Sequence, residues 1–214
     1  MTFYKKAKLQ KANYTLILKN KPIPLPSSPM KSEKQKMIDG ELYDPLDKEL
    51  AADRVRTRLL IKELNDGRED DEENRQRILK ELIPHANHPL WLQPPFYCDY
   101  GYNILLGERV FFNFNCVVLD VCPVIIGSGT MFGPSVQIYT ATHPIDHIER
   151  AAGKEYAKPI KIGEDVWVGG NVTICPGVTI GNRTIIGAGS VVTKDIPDDV
   201  FAAGNPCKVI RSLK

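Results

Sequence analysis

Residues 162–192 read IGEDVWVGGNVTICPGVTIGNRTIIGAGSVV, and an aliphatic residue falls on every sixth position: Ile162, Val168, Ile174, Ile180, Ile186 and Val192. Glycine follows four of them, at Gly163, Gly169, Gly181 and Gly187. The position four after each key residue is small or β-branched: Val166, Val172, Val178, Thr184 and Ser190. Alternate strand residues face the same side, so two inward positions per six define one short strand and one turn. Glycine after the key residue suits a backbone that turns tightly without a Cβ. Self-similarity at a fixed period is the signature of a repeat architecture.

Upstream the same period runs through Leu106, Phe112 and Val118, then through Ile126, Phe132 and Ile138. Val110, Cys116, Thr130 and Val136 fill the second inward position. Two slips interrupt it. Two extra residues lie between Val118 and Ile126, which reads as a minor bulge. Eighteen extra residues lie between Ile138 and Ile162, the corner loop 144–161. A solenoid tolerates insertions at its corners, and such insertions often build the binding face. His143 stands at the root of this one, and chemistry is expected there.

Ahead of the repeats the pattern is helical. Asp44 is the expected N-cap, with Pro45 at the first helical position and Asp47 in the first turn. Leu46, Leu50, Leu60 and Leu64, with Val55 and Leu59 beside them, form the apolar stripe, and Asn65-Asp66-Gly67 stops the helix. Asp70 to Glu73 load the start of the next, whose stripe is Ile78, Leu79, Leu82 and Ile83. The chain divides into an extension (1–31), a small helical segment (32–90) and the repeat domain (91–214). The extension carries seven lysines and no acidic residue before or within its run of prolines. It reads as a solvated tail with a Pro-rich linker, a targeting or lipid-surface peptide being the alternative.

Composition narrows the class. A chain of 214 residues with 43% hydrophobic residues supports one sizeable core and a small helical part. A net charge of +2 gives no compositional reason to expect a nucleic acid or a membrane as partner. Five cysteines with no C-x-x-C pair fit a reducing compartment. The apolar runs fall short of a membrane span, so the expected location is cytoplasmic.

The stretches YCDYG (97–101), NFN (113–115), LDVCP (119–123), YTATHPID (139–146) and VWVGG (166–170) resemble the maltose and galactoside O-acetyltransferases, maltose-type most closely. The likeness runs from Ser32 to the C-terminus. It implies a mainly β fold, a left-handed parallel β-helix with a small α-helical N-terminal segment. The left hand comes from the resemblance alone, because general crossover rules favour the right. It also implies acetyl-CoA as cosubstrate, no metal, a sugar hydroxyl as acceptor, and a homotrimer with sites between subunits.

A sugar hydroxyl needs a positioned base to attack a thioester, and histidine suits neutral pH. Thr142-His143-Pro144 matches the family's base motif, although spacing alone leaves a structural corner histidine equally open. By the same resemblance Asn113 contacts the histidine or the acceptor, a stabilising corner ladder being its alternative. Phe111 and Asn115 fall to the acceptor side. Asp120 either holds the acceptor or caps a corner, and Arg54 either contacts the acceptor or is a solvated helix charge. Val121 and Pro45 replace two aspartates of the galactoside enzymes, which argues against a galactoside preference. The backbone N–H of Gly170 is the expected oxyanion donor. Trp167 packs along the pantetheine arm or anchors a corner. Gly169, Gly187 and Ala188 let that arm approach, while Thr193, Lys194, Lys208 and Arg211 reach the phosphates.

Two rivals stand beside this reading. A zinc enzyme on the same solenoid needs three converging histidines, yet only His143 and His147 fall in the repeats, both at one corner. A non-catalytic scaffold would leave the base motif without a use. Serine, xenobiotics and galactosides remain alternative acceptors. Transfer is expected to be direct, because no nucleophile–base pair of the usual kind is present.

Overall fold

The computed structural model describes residues 30–214 apart from His88, so expectations for the lysine-rich extension lie outside the described residues save Met30 and Lys31. The hexads fold as a parallel β-solenoid whose coils each pass through three sheets. The first sheet holds β2 (Phe96–Cys98), β5 (Cys116–Leu119), β8 (Gln137–Tyr139), β13 (Thr173–Ile174) and β16 (Val191–Val192). The second holds β3 (Ile104–Leu106), β6 (Val124–Ile126), β11 (Ile160–Ile162) and β14 (Thr179–Ile180). The third holds β1 (Trp91–Leu92), β4 (Phe111–Phe112), β7 (Met131–Phe132), β12 (Trp167–Val168), β15 (Ile185–Ile186) and β17 (Val200–Ala203), with β18 (Lys208–Ser212) antiparallel at its edge.

Every hexad key residue points inward and is buried, as is each second inward position. Phe112 stacks on Phe132 at 4.6 Å, and Phe96 meets Phe112 edge-on, so an aromatic column fills the first coils. Polar residues at inward positions are satisfied. The Thr130 hydroxyl donates to Gly163 O and accepts from Val166 N–H, and Thr184 donates to Pro197 O.

Three helices close the first coil. They are α1 (Glu33–Ile38), α2 (Lys48–Asp66) and α3 (Glu72–Leu82). Ile61, Leu64, Ile78, Leu79, Leu82 and Ile83 join the solenoid core without a break, and Ser32–Lys214 forms one compact unit. The helical segment is therefore a cap rather than a small domain of its own. The N-cap of α2 is Asp47, whose carboxylate accepts from Glu49 and Leu50 N–H; Asp44 instead makes a turn by accepting from Leu46 N–H. Of the expected stripe, Leu50, Leu60 and Leu64 are buried while Leu46, Val55 and Leu59 are exposed. Thr57 takes a core position in their stead, because its hydroxyl donates to Tyr100 O at 3.0 Å. Among the described residues no helix is long and apolar enough to cross a membrane.

The cap fits so closely at one point that only glycine is admitted. Gly101 has φ +78, and a Cβ there would overlap the Leu82 carbonyl at the end of α3. Gly101→Ala is expected to cost on the order of 3 kcal/mol in denaturant unfolding. Gly153→Ala has a similar φ of +74 with nothing within 4 Å, and is expected to cost only about 1 kcal/mol. Equal losses at the two positions would refute the close fit.

Candidate active site

The pairing register locates an expanded corner between the first and second sheets. Successive partners in the first sheet are Cys98↔Val118, Val118↔Ile138, Ile138↔Ile174 and Ile174↔Val192, which are twenty, twenty, thirty-six and eighteen residues apart. The two-residue bulge seen after Val118 therefore has a twin after Cys98. The long excursion leaves from the same corner one coil later. Extra backbone at residues 99–103, 120–123 and 140–159 is thus gathered at a single edge.

The excursion is anchored at its root. Strand β9 (Ala141–Thr142) pairs antiparallel with β10 (Tyr156–Ala157), and the short helix α4 (His147–Ala151) sits between, N-capped by Asp146. His143 follows β9 directly, exposed and without a hydrogen-bond partner among the described residues. Tyr43 clamps the return strand from outside: Tyr43 N–H donates to Glu155 O, Glu155 N–H donates back, and the Tyr43 phenol donates to the Glu155 carboxylate at 2.8 Å. Gly40 (φ +74) lets the capping segment lie on Ala157, since a Cβ there would stand 2.8 Å from its carbonyl oxygen.

The corner between the third and first sheets is built differently. Residues 113–115, 133–135, 169–171 and 187–189 stack there, linked by Ser135 N–H to Phe114 O, Asn171 N–H to Pro134 O and Gly189 N–H to Gly170 O. Asn115, Ser135, Asn171 and Gly189 all have positive φ, the conformation the corner imposes and asparagine tolerates. Asn113 Oδ1 accepts from Phe114 N–H, and its Nδ2 amine has no partner among the described residues. The Gly170 N–H is likewise unused among them, whereas Gly169 N–H is spent on Ile186 O.

Two patterns match known protein families along this chain. Residues 36–87 match the maltose acetyltransferase hexapeptide capping motif, and 159–194 match the six-repeat bacterial transferase hexapeptide. The galactoside O-acetyltransferase of Escherichia coli K12 is 41% identical over 81% of the chain and 86% of its own length. A maltose O-acetyltransferase structure from Clostridium difficile 630 is 47% identical, with a TM-score of 0.84 over 86% of this chain and 98% of that one. A hexapeptide-repeat acetyltransferase from Vibrio cholerae O1 biovar eltor, solved with acetyl coenzyme A, is 43% identical with a TM-score of 0.80 over 86% and 100%. The chain belongs to the hexapeptide-repeat acetyltransferases.

Within one acetyltransferase chain the expected residues fall into two groups. His143, Thr193 and Lys194 lie on the expanded corner, whereas Asn113, Asn115, Gly169, Gly170, Gly187 and Ala188 lie on the other. The first sheet separates the two corners, so within one chain His143 and Asn113 stand on opposite edges of that sheet. Trp167 is 53% exposed on the outer face of the third sheet, and Phe111 lies on the same face two coils earlier. Lys208 and Arg211 are exposed on β18, where Arg211 lies over the Phe201 ring.

Of the two readings of Asp120, the structure selects the corner cap. Asp120 is fully buried, and its carboxylate accepts from Asp99, Tyr100 and Asn103 N–H, so it caps the corner and has no edge left for an acceptor. Asn115 is exposed and donates to the Ser135 hydroxyl of the next coil. At Gly169 and Gly187 the next coil lies close: a Cβ would come within 2.6 Å of Ala188 N and 2.9 Å of Ala203 Cβ. Arg54 is half-buried and donates to the Tyr100 phenol at 2.7 Å and to Pro45 O at 2.6 Å, which directs it to the expanded corner. Among the described residues no group of three His, Cys, Asp or Glu could hold a metal.

One further residue on this corner carries no expectation from the sequence. The half-buried Asp99 carboxylate receives no hydrogen bond among the described residues; burial pushes its pKa up, and the Arg54 charge pulls it down. Glu155 acts on it across the corner. The signal was available in YCDYG: the eight-residue step from Cys98 to Leu106 places Asp99 on the same corner as His143.

Burial pushes the Asp120 carboxyl up to about 7 against the backbone N–H groups that pull it down. A carboxyl raised on folding stabilises the protonated state, so its contribution is full below the unfolded value of 3.8 and is lost as pH rises through about 7. Urea midpoints of the wild type are expected to fall between pH 4 and 8 by the equivalent of a few kcal/mol relative to Asp120→Asn. Parallel profiles would assign the pH dependence elsewhere. Tyr43→Phe removes the phenol–Glu155 bond and should cost about 1 kcal/mol. Amide exchange across 141–157 should quicken while the remaining coils keep their protection. Unchanged exchange there would mean the backbone pairing alone holds the hairpin.

Proposed function

We propose that the chain transfers the acetyl group of acetyl-CoA to a sugar hydroxyl, on a maltose- or glucose-type acceptor, in sites completed between neighbouring chains of a homotrimer. The observation that carries this is the division of the site between two corners. An exposed histidine stands on one corner, and the Asn113 amide NH2 and the Gly170 N–H, both unpaired among the described residues, stand on the other. Only a second chain can close the gap. The relative solved with acetyl coenzyme A and the maltose and galactoside relatives support the cosubstrate and the class of acceptor.

His143 takes the proton of the acceptor hydroxyl as its oxygen attacks the thioester carbonyl. Negative charge gathers on the carbonyl oxygen, where Gly170 N–H donates. The C–S bond then breaks, and the leaving thiolate takes the proton back from the imidazolium. Asn113 orients the histidine or the acceptor from the neighbouring chain. Arg54 and Asp99 hold acceptor hydroxyls, and a carboxylate beside a guanidinium offers both an acceptor and donors to a sugar. Trp167 and Ala188 flank the pantetheine arm, with Thr193, Lys194, Lys208 and Arg211 on the phosphate side. Five free cysteines suit a cytoplasmic setting.

Release of CoA thiol from acetyl-CoA tests this with maltose, glucose, a galactoside, serine or no acceptor. Sugar-dependent release is expected, lowered about 10²- to 10⁴-fold in His143→Ala with its circular dichroism unchanged. Undiminished release would remove His143 from the base role. Mixed trimers of His143→Ala and Asn113→Ala chains should regain about a quarter of wild-type sites if each site draws on two chains. No recovery would confine both residues to one chain's site.

A further inference from the structure

A cavity of about 910 Å³ opens on the outer face of the third sheet over its first three coils. We propose that it is a subsite for a second sugar ring of the acceptor, leading away from the reaction centre on the side opposite the coenzyme. The inference rests on the function proposed above and adds the length of the acceptor to it.

The axial order of the third sheet supplies the direction. Its outward column runs Trp91, Phe111, Met131, Trp167, Ile185 and Phe201, one residue per coil. The coenzyme-side residues Trp167, Gly170 and Ala188 belong to the later coils, and Lys208 and Arg211 lie beyond them on β18. Trp91, Phe111 and Met131 line the cavity on the earlier ones. Phe111, two residues before Asn113, is the residue that the cavity shares with the acceptor side; from it the lining runs over the earlier coils toward Arg109, Gly129 and Asp165 at the corner with the second sheet, away from the coenzyme.

The lining has the chemistry of a saccharide. Trp91 is 68% exposed and meets Phe111 edge-on at 5.1 Å, which leaves a broad aromatic surface open to a ligand. An aromatic ring packs against the C–H face of a pyranose, while amides and charged groups at the rim satisfy its hydroxyls. Asn87, Gln93, Arg109 and Asp165 occupy such positions here. The far wall is fixed in advance: the Gln76 side chain both donates to Leu90 O and accepts from Leu90 N–H, and Arg75 pairs with Glu69. A preformed pocket of this size, within the roughly 300–1,000 Å³ of small-molecule sites, loses little entropy on binding.

The test compares kcat/KM for glucose, maltose and maltotriose in the assembled wild type, Trp91→Ala and Trp91→Phe. Wild type is expected to prefer maltotriose to glucose, and the ratio should fall about tenfold in Trp91→Ala and less in Trp91→Phe. In parallel, maltotriose without acetyl-CoA should quench the emission of Trp91, one of two tryptophans, and the quench should be lost in Trp91→Phe. An unchanged ratio with no quench overturns the subsite even where glucose is acetylated. A quench in a protein that acetylates no sugar supports the subsite while refuting the proposed function. Dissociation of Trp91→Ala into monomers would show the cavity filled by a second copy of the chain, and would overturn the proposal.

Discussion

The in-register backbone ladder between successive coils governs everything else in this molecule. Each coil donates to the one beside it, so residues at equivalent positions rise in columns and must be mutually compatible along the whole stack. Inside, the columns demand apolar or internally satisfied side chains. At the corners they demand that one backbone lie on another, which is why Gly133 and Gly169 cannot carry a Cβ without meeting the coil that follows. Function is left with the outer faces and with whatever a corner can extrude.

The same constraint explains why the extra residues share one corner. A bulge in a single coil would leave its neighbours without partners on that edge. Here residues 99–103 and 120–123 bulge together, and Asp120 turns inward to accept three N–H groups that the widened turn would otherwise leave unpaired. The widened edge supplies a seat for Met37, Tyr43 and Leu50 of the helical cap, which bury Val121 and Ala157. The cap in turn grips the excursion through Tyr43 and Glu155. His143 is therefore held by a chain of contacts that begins in the N-terminal helices and ends on a two-residue ladder.

The period-six pattern made the solenoid legible because each hexad repeats one geometric demand, and no alternative element has that spacing. The helices were legible in number and in their stops. Their starts were less so, because Asp44 and Asp47 carry the same local signal and only the packing of Leu50 selects between them. Leu46, Val55 and Leu59 obeyed helical spacing on the wrong face, since Thr57 could be buried once Tyr100 O was there to accept from it. Asp120 shows a similar limit. Its motif marks the corner correctly, but whether a carboxylate faces solvent or backbone depends on a neighbouring coil twenty residues away. The twin bulge after Cys98 is less legible, because neither Leu92 nor Cys98 is followed by the glycine that marks many later hexads, and Asp99 lies in that bulge.

Short coils also bear on how two substrates could meet. A solenoid side is only a few residues wide, so a single chain cannot fold back to place groups from two corners against one another. The expanded corner offers an exposed imidazole, and the glycine corner offers a backbone N–H and a side-chain amide that are unpaired among the described residues. In the proposed trimer, packing the corner of one chain against the face of another would bring the halves together in a groove parallel to the solenoid axis. Such a groove has two ends. A long cosubstrate entering from the C-terminal coils and an acceptor entering from the capped end would meet near the third coil, where the excursion delivers His143. The position of the excursion along the stack, rather than any property of the histidine, would then set how much of the groove each substrate receives.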